Sequence, residues 1–468
     1  MKNSSSIALS RRSFLAGIGA FALLPSFGEI DIAPKSSFSG AITGRRLKMA
    51  SIGCGGMGGA ATESLIATGC DLVAVCDVNP TAFDRWEQKY PGIPKFTDYR
   101  DMLKTMGDKF DIVQIGTPDH THAYISIDCM KAGKHVYVQK PLARTVEECE
   151  LMMKAQMQTG VVVQMGNQGH PGVWRYKEMR DAKVWGDIKE IYSWSDRPVW
   201  PQGMKEYAKA QPLPQGYAPN AWNCWCGPSA DRGYSPAYHP FSWRGWWDYG
   251  CGAIGDMAVH NADPAFWTFE LGLPVKVVAD TYGEGPVTVA FPKKSRIEMT
   301  FAPTKWLPKG IKLTWFDGGL KPDEASVPGL AEYAKNPEAK LDNGVIIIGS
   351  KATTFGQSHA SRPRCLAGDA AAVEKALKKG DPASNYNHYR EFVEACQAND
   401  PSRCGSKLSY AAPLTEALLI GCIALRYPGE ELHFDPKKMQ FTNKPEANAF
   451  LKAPSRGDWD FKKLMSRK

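Results

Sequence analysis

The residues with chemistry to offer fall in three places. From Leu47 to Gly59 the chain reads Leu-Lys-Met-Ala-Ser-Ile-Gly-Cys-Gly-Gly-Met-Gly-Gly, so Gly53, Gly55 and Gly58 stand in the order G-x-G-x-x-G with Gly56 and Met57 between them. Such a loop turns tightly out of a strand, lets backbone amides approach a pyrophosphate, and lets a helix pack close behind. Asp77 follows Gly53 by 24 positions, where a carboxylate that accepts from a ribose hydroxyl is expected. A glycine-rich turn in another βαβ unit would satisfy the same spacing in a chain with 44 glycines. The second place is Asp256 and His260, four residues apart. On a helix they share one face, which suits proton transfer, although a capped helix with an ordinary ion pair has the same spacing. The third is a series of polar residues that follow short apolar runs: Thr117-Pro118, Gln139-Lys140-Pro141 and Asn167-Gln168.

The elements that must position these residues can be read from periodicity. After the glycine loop, residues 60–67 have helical character, and an apolar run over 72–76 ends at Asp77. Helices are expected over 81–89, 98–106, 124–132 and 145–158, and strands over 111–116, 135–138 and 161–165. Strands separated by helices form a parallel sheet that binds its ligand beyond the carboxyl ends of the strands. The glycine loop and all three polar series sit at such ends. The second half differs. Trp185, Trp194, Trp200, Trp222, Trp225, Trp243, Trp246 and Trp247 are interleaved with Gly, Pro, Arg and Tyr. Aromatic faces of this kind suit sugar rings, and about half of them are expected in the core or at an interface. Residues 253–269 read as a helix, and 276–281, 288–291, 297–301 and 344–350 as strands of one sheet. Residues 303–342 are loop-rich, 389–398 and 411–426 are amphipathic helices, and 436–468 read as an extended, basic tail.

Composition narrows the class. With 468 residues and 43% hydrophobic content, the chain is long enough for two cored domains. The net charge is +8, but the basic residues are scattered and form no nucleic-acid footprint. Ser10-Arg11-Arg12-Ser13-Phe14-Leu15 is a twin-arginine pattern followed by an apolar stretch too short for a permanent membrane anchor. Residues 1–28 are therefore expected to be a twin-arginine signal peptide and 29–45 a linker. The expected partner is the twin-arginine translocation machinery and the expected location the periplasm. Twelve cysteines form no disulfide framework. Cys224-x-Cys226 with Cys251 lacks the second close pair of a zinc site, so no metal is expected.

The glycine loop, Thr117-Pro118 with His122, the Gln139-Lys140-Pro141 turn and Asp256-Met-Ala-Val-His260, in that order, resemble the glucose-fructose oxidoreductase/inositol dehydrogenase family, commonly called Gfo/Idh/MocA, over roughly residues 46–435. The resemblance implies an α/β fold with an N-terminal Rossmann domain over 46–167. A C-terminal α/β domain, built on an open, mostly antiparallel sheet, would span 168–435 and carry homo-oligomer contacts. It also implies hydride transfer between a nicotinamide and a hydroxyl carbon of a sugar, cyclitol or related polyol. Val78-Asn79-Pro80 offers no arginine for a 2′-phosphate, so NAD is expected rather than NADP. The cofactor-binding set would be Gly53, Gly55, Gly56, Met57, Gly58, Asp77, Thr117, Pro118, His122, Gln139, Lys140, Asn167 and Gln168. The family's usual strand-end motif is Glu-Lys-Pro. Gln139 here removes a negative charge beside Lys140.

Loss of hydride from a carbinol carbon requires a base for the hydroxyl proton, and histidine titrates in the right range. His260 is expected in that role, with Asp256 steadying its charge or tautomer. Lys140 would orient the hydroxyl and stabilise charge on its oxygen. His120, His170, Arg244 and Trp246 are expected substrate neighbours. An exported dehydrogenase cannot draw on free NAD, so tight retention of the cofactor is expected. Two other readings remain open: net glycoside hydrolysis through transient oxidation of a sugar hydroxyl, and non-catalytic sugar binding.

Overall fold

A computed structural model of the protein describes residues 44–378 and 387–467. The expected signal segment, and all of the expected linker except Gly44 and Arg45, lie outside the described residues. Six short strands, β1 (Leu47–Ile52), β2 (Cys70–Cys76), β3 (Lys95–Phe96), β4 (Ile112–Ile115), β5 (His135–Val138) and β6 (Val163–Met165), form a parallel sheet in the order β3-β2-β1-β4-β5-β6. Their near-continuous apolar character follows from burial on both faces. The connecting helices are α1 (Gly56–Ala67), α2 (Asp84–Lys89), α3 (Tyr99–Met106), α4 (Asp119–Lys131) and α5 (Val146–Thr159). Two of them start earlier than periodicity indicates. The first turn of α1 is made of the glycine loop itself, which carries no apolar pattern. Pro118, with φ −63° and ψ 154°, stands at the N-cap of α4, so His120 and His122 lie in its first turns rather than in a loop.

The second sheet has nine strands: β7 (Ile188–Trp194), β8 (Pro274–Asp280), β9 (Ser295–Phe301), β10 (Ile311–Asp317), β11 (Gly344–Gly349), β12 (Ala352–Gly356), β13 (Arg364–Gly368), β14 (Glu431–Asp435) and β15 (Gln440–Phe441). They are ordered β13-β12-β11-β7-β10-β9-β8-β14-β15, with β7 and β10 parallel and the other neighbours antiparallel. The buried helix Leu408–Ala424 lies between this sheet and the first domain. No helix among the described residues is long and apolar enough to cross a membrane.

Four expectations need correction. Residues 303–342 contain the central strand β10, and their later part covers the outer sheet face, with Val327 and Leu330 packed on Trp194, Ile346, Ile348 and Phe355. The run 288–291 forms only an isolated bridge, Ala290 to Trp246. The C-terminal tail is folded rather than extended. Beyond β15 it forms the helix Phe461–Ser466, and its Trp459 is buried against Tyr99 and Tyr124, with Arg100 stacked 4.2 Å from its ring. Finally, the tryptophans are mostly core. Trp225, Trp243 and Trp246 join Tyr238 and Tyr249 in a cluster that gives the long insertion over 195–252 its own interior.

Candidate active site

The carboxyl ends of β1, β2, β4, β5 and β6 bring most of the singled-out residues to one edge. Gly53 takes φ +72° as the chain leaves β1. A Cβ on Gly58 would stand 1.9 Å from the Gly53 carbonyl oxygen, so only glycine lets α1 pack there. Gly55 is the N-cap of α1, and no side chain caps the helix or places an acid in its first turn. Met57 is 53% exposed there. These first-turn amides are therefore free for an anion. At the end of β2, Asp77 accepts from the backbone N–H of Gly55 at 3.3 Å and of Asn79 at 2.9 Å. Burial pushes its carboxyl up despite these bonds. The donor set fits a dinucleotide: an uncapped helix start, a cradle that a Cβ would fill, and a carboxylate for the ribose. Gln139 adds a buried Nε2 without a partner, while its Oε1 accepts from Gln168 at 3.4 Å.

The insertion closes over this edge. Val78 packs against the Trp225 cluster, a Cβ at Gly216 would touch Pro80, and Thr121 crowds Gly227.

Lys140 leaves the end of β5 and donates from Nζ to the Asp256 carbonyl and to its Oδ1, both at 2.8 Å. Asp256 lies in a π-helical turn, Ile254–Ala258, a local widening often found at functional sites. Arg244 Nε is 3.5 Å and Arg197 Nε 3.9 Å from the same carboxylate. Burial pulls this carboxyl up, but Lys140, Arg244 and Arg197 outweigh it and hold Asp256 below the usual carboxylate range. Asp256 thus serves Lys140, not His260 as its four-residue spacing implies; the widened turn separates the two roles.

His260 is held from the other side. Asn167 Nδ2 donates to the Val259 carbonyl and to Asp263 Oδ2, both at 3.0 Å. Its Oδ1 therefore faces His260 Nδ1 at 2.8 Å, and the imidazole must donate there. The tautomer follows: Nε2 carries the lone pair. Burial, then the charges of His359 and Lys140, push His260 well below its ordinary value and keep it neutral. Asp263 also accepts from Tyr410 and pairs with His170 Nδ1 at 2.9 Å.

Several expected contacts take other roles. His122 lies between the carbonyls of Pro141 and Thr117, each at 2.8 Å, and ties two strand ends together rather than facing a cofactor. His120 is wedged between the carbonyls of Trp225 and Tyr249, at 2.7 and 3.0 Å, and faces no cleft. His170 sits in the buried network behind Asn167. Trp246 is core, its indole donating to Ala237. Asn167 spends its amide on His260 and Asp263. Arg244 stays at the site, stacked 4.2 Å from Trp243. The sequence reading passed over Asp119, whose carboxyl is pushed up to about 7 by burial, against the opposing pull of Arg244 and Lys140. It also missed Arg197, Asp263 and His359. His359, brought in by the β12–β13 loop, stacks on His260 with ring centroids 4.0 Å apart. No local motif marks them; only the fold brings them there.

Two family models match the chain. One, described as "Oxidoreductase family, NAD-binding Rossmann fold", covers residues 47–167, and the other, that family's C-terminal alpha/beta domain, covers residues 189–305. Together they span more than half of the sequence. Among curated proteins, an alpha-N-acetylgalactosaminidase of Shewanella oneidensis is 33% identical over 164 residues, 30% of this chain and 35% of that protein. A 1-carboxy-3-chloro-3,4-dihydroxycyclohexa-1,5-diene dehydrogenase of Comamonas testosteroni is 31% identical over 125 residues, 26% of this chain and 31% of that protein. The chain thus spans about a third of the length of these relatives. The WlbA dehydrogenase of Chromobacterium violaceum, solved with NADH and UDP-GlcNAcA, superposes with a TM-score of 0.58 at 19% identity, over 85% of this chain and 98% of that one. An inositol dehydrogenase homolog of Azotobacter vinelandii, solved with NADH and myo-inositol, gives 0.56 at 15% identity, over 85% and 100%. At these identities the likeness is one of fold. The chain belongs to the Gfo/Idh/MocA oxidoreductase family and carries its NAD-binding Rossmann domain followed by its C-terminal α/β domain.

Proposed function

We propose that this protein transfers hydride between a hydroxyl-bearing carbon of a sugar, cyclitol or related polyol and a nicotinamide that it retains through turnover. The observation that carries this reading is a neutral His260 whose free Nε2 stands near Lys140, itself fixed by Asp256. His260 would take the proton of the substrate hydroxyl at Nε2. Lys140 Nζ would donate to the same oxygen as negative charge develops on it, with Asp256 setting the direction of that ammonium. Gly53, Gly55, Gly58 and the α1 amides would hold the pyrophosphate, Asp77 the adenosine ribose, and Gln139 with Gln168 the nicotinamide end. When bound, NAD supplies the hydride acceptor or donor. The Asp77 carboxylate favours NAD over NADP because it would repel a 2′-phosphate.

Tight retention is supported by the insertion, which packs on Val78 and Pro80 beside the ribose carboxylate. It agrees with export along the twin-arginine route, which carries folded, cofactor-loaded proteins. Periplasmic location and self-association through the second sheet belong to the same proposal. A second reading has its own support. The similarity to an alpha-N-acetylgalactosaminidase favours redox-neutral glycoside cleavage, in which the same His260 and Lys140 would oxidise a sugar hydroxyl transiently. Incubation with free sugars and polyols, and with glycosides, separates the readings. Keto-product marks the oxidoreductase, and released aglycone without net reduced nicotinamide marks the glycosidase. Neither product from a nucleotide-loaded protein would refute both.

A further inference from the structure

The loop between β12 and β13 is built to hold one imidazole against another. His359 and Ala360 both take the left-handed backbone, with φ +59° and +49°, a conformation that β-carbon-bearing residues adopt at a cost. Space is made for this loop by glycines opposite: a Cβ on Gly169 would lie 2.5 Å from His359 Cα, and one on Gly172 only 2.1 Å from the Ala360 oxygen. The His359 ring stacks on His260 with centroids 4.0 Å apart and planes 24° apart.

A chain of hydrogen bonds fixes which nitrogen titrates. Asn261 Nδ2 donates to the Trp194 carbonyl at 2.7 Å, so its Oδ1 accepts from Ser358 Oγ at 2.7 Å. With its proton committed, Ser358 Oγ accepts from His359 Nδ1 at 2.6 Å. Nε2 of His359 is therefore the nitrogen that gains or loses a proton. The ring is exposed and lines an open cavity of about 350 Å³ together with Gln168, Arg175, Asn387 and His388.

We propose that His359 is a positioning residue of the reaction: stacked on the buried base and open to solvent on its other side, its charge decides how strong a base His260 is. The proposal rests on the hydride-transfer reading for its consequence in catalysis. The charged groups that face His359 are Lys140, Asp256 and Arg197 from the catalytic side and Arg175 from the cavity. The titratable rings nearby are His260 and His388, both buried and held neutral, and Tyr389, which lines the same cavity. Partial enclosure against His260, then Lys140 and Arg197, push His359 below its ordinary value, while Asp256 opposes them. His260 is buried and His359 is open to water, so His359 takes a proton first as pH falls. A positive charge at this distance weakens a neighbouring base by about one to three pH units, which lowers general-base rates by roughly tenfold.

The test compares the NAD-loaded protein with its His359→Phe and His359→Gln variants. Phe keeps a stacking ring without a titrating nitrogen, and Gln guards against a Phe variant that fails to fold. We expect an acid limb in kcat/KM that is present in the parent but displaced by at least about one pH unit, or lost, in both variants, whatever their plateau value. Titration of nitrogen-labelled histidine by NMR should show the His260 signals shifting at the midpoint of His359, and this shift should vanish in the variants. That measurement needs no substrate, so it separates the two claims. A coupled titration without turnover on any sugar refutes the activity and leaves the coupling. An unchanged acid limb, or a His260 signal indifferent to His359, overturns the inference.

Discussion

Replacing Lys140 by Met removes the ammonium that holds Asp256, and the size of the effect can be worked out. At 2.8 Å and an effective dielectric constant of about 20, a unit charge pair is worth about 6 kcal/mol. Arg244 at 3.5 Å and Arg197 at 3.9 Å remain beside the carboxylate and recover part of this. Breaking a buried pair usually costs about 3–5 kcal/mol, and with the two arginines in place we expect a loss of about 2–3 kcal/mol. Both side chains are 14% exposed, so solvent compensates little. Urea denaturation with NAD bound measures this loss, and turnover should fall by at least about a hundredfold. The double variant Lys140→Met with Asp256→Asn also takes the carboxylate from Arg244 and Arg197, so it should be no more stable than the single variant while turnover stays low. A Lys140→Met protein as stable and active as the parent would refute the reasoning. So would a double variant clearly more stable than the single one.

Other outcomes follow from the same geometry. His260→Gln, which leaves the packing in place, should lower turnover by about a hundredfold or more at unchanged NAD content. Asp77→Ala should weaken NAD binding and reduce the preference over NADP, measured by nucleotide titration of stripped protein; unaltered affinity would place the ribose contact elsewhere. Acid should destabilise the fold from neutrality downwards. Burial pushes His120 and His388 to about 3 and His122 and His239 to about 4, whereas the unfolded chain protonates them near 6.5. The unfolded state binds more protons below that value, so stability is full above about pH 6.5 and falls until the folded values are reached. The four sites together should lose about 5 kcal/mol at pH 5.5, readable as a drop in Tm; a flat profile between pH 7 and 5 would contradict the burial of these rings.

The first domain was legible because its signals are local. Each parallel strand is a short apolar run, and the glycine loop, Asp77 and Lys140 follow directly from a strand end. The boundaries that slipped did so for physical reasons: glycines start α1 without an apolar pattern, and Pro118 starts α4 early. The second domain depends on distant pairing. β10, lost within a loop-rich stretch, is recognisable only through its partners β7 and β9. The same holds at the site. Spacing joined Asp256 to His260, but the widened helical turn gives Asp256 to Lys140 and leaves His260 to Asn167. His359 and Arg197 reach the site only through sheet topology, and the tryptophans that suited a sugar instead close the insertion on itself.

The central claim is tested most directly by mixing the purified, nucleotide-loaded protein, with no NAD added, with a panel of sugars, polyols and glycosides while following the near-ultraviolet absorbance of reduced nicotinamide. The account predicts a rapid rise with the cognate compound, up to one reduced cofactor per loaded site, and a rise slower by about a hundredfold or more in the His260→Gln variant. A loaded protein that shows no reduction with any member of the panel, or an equally rapid rise in the variant, would contradict it.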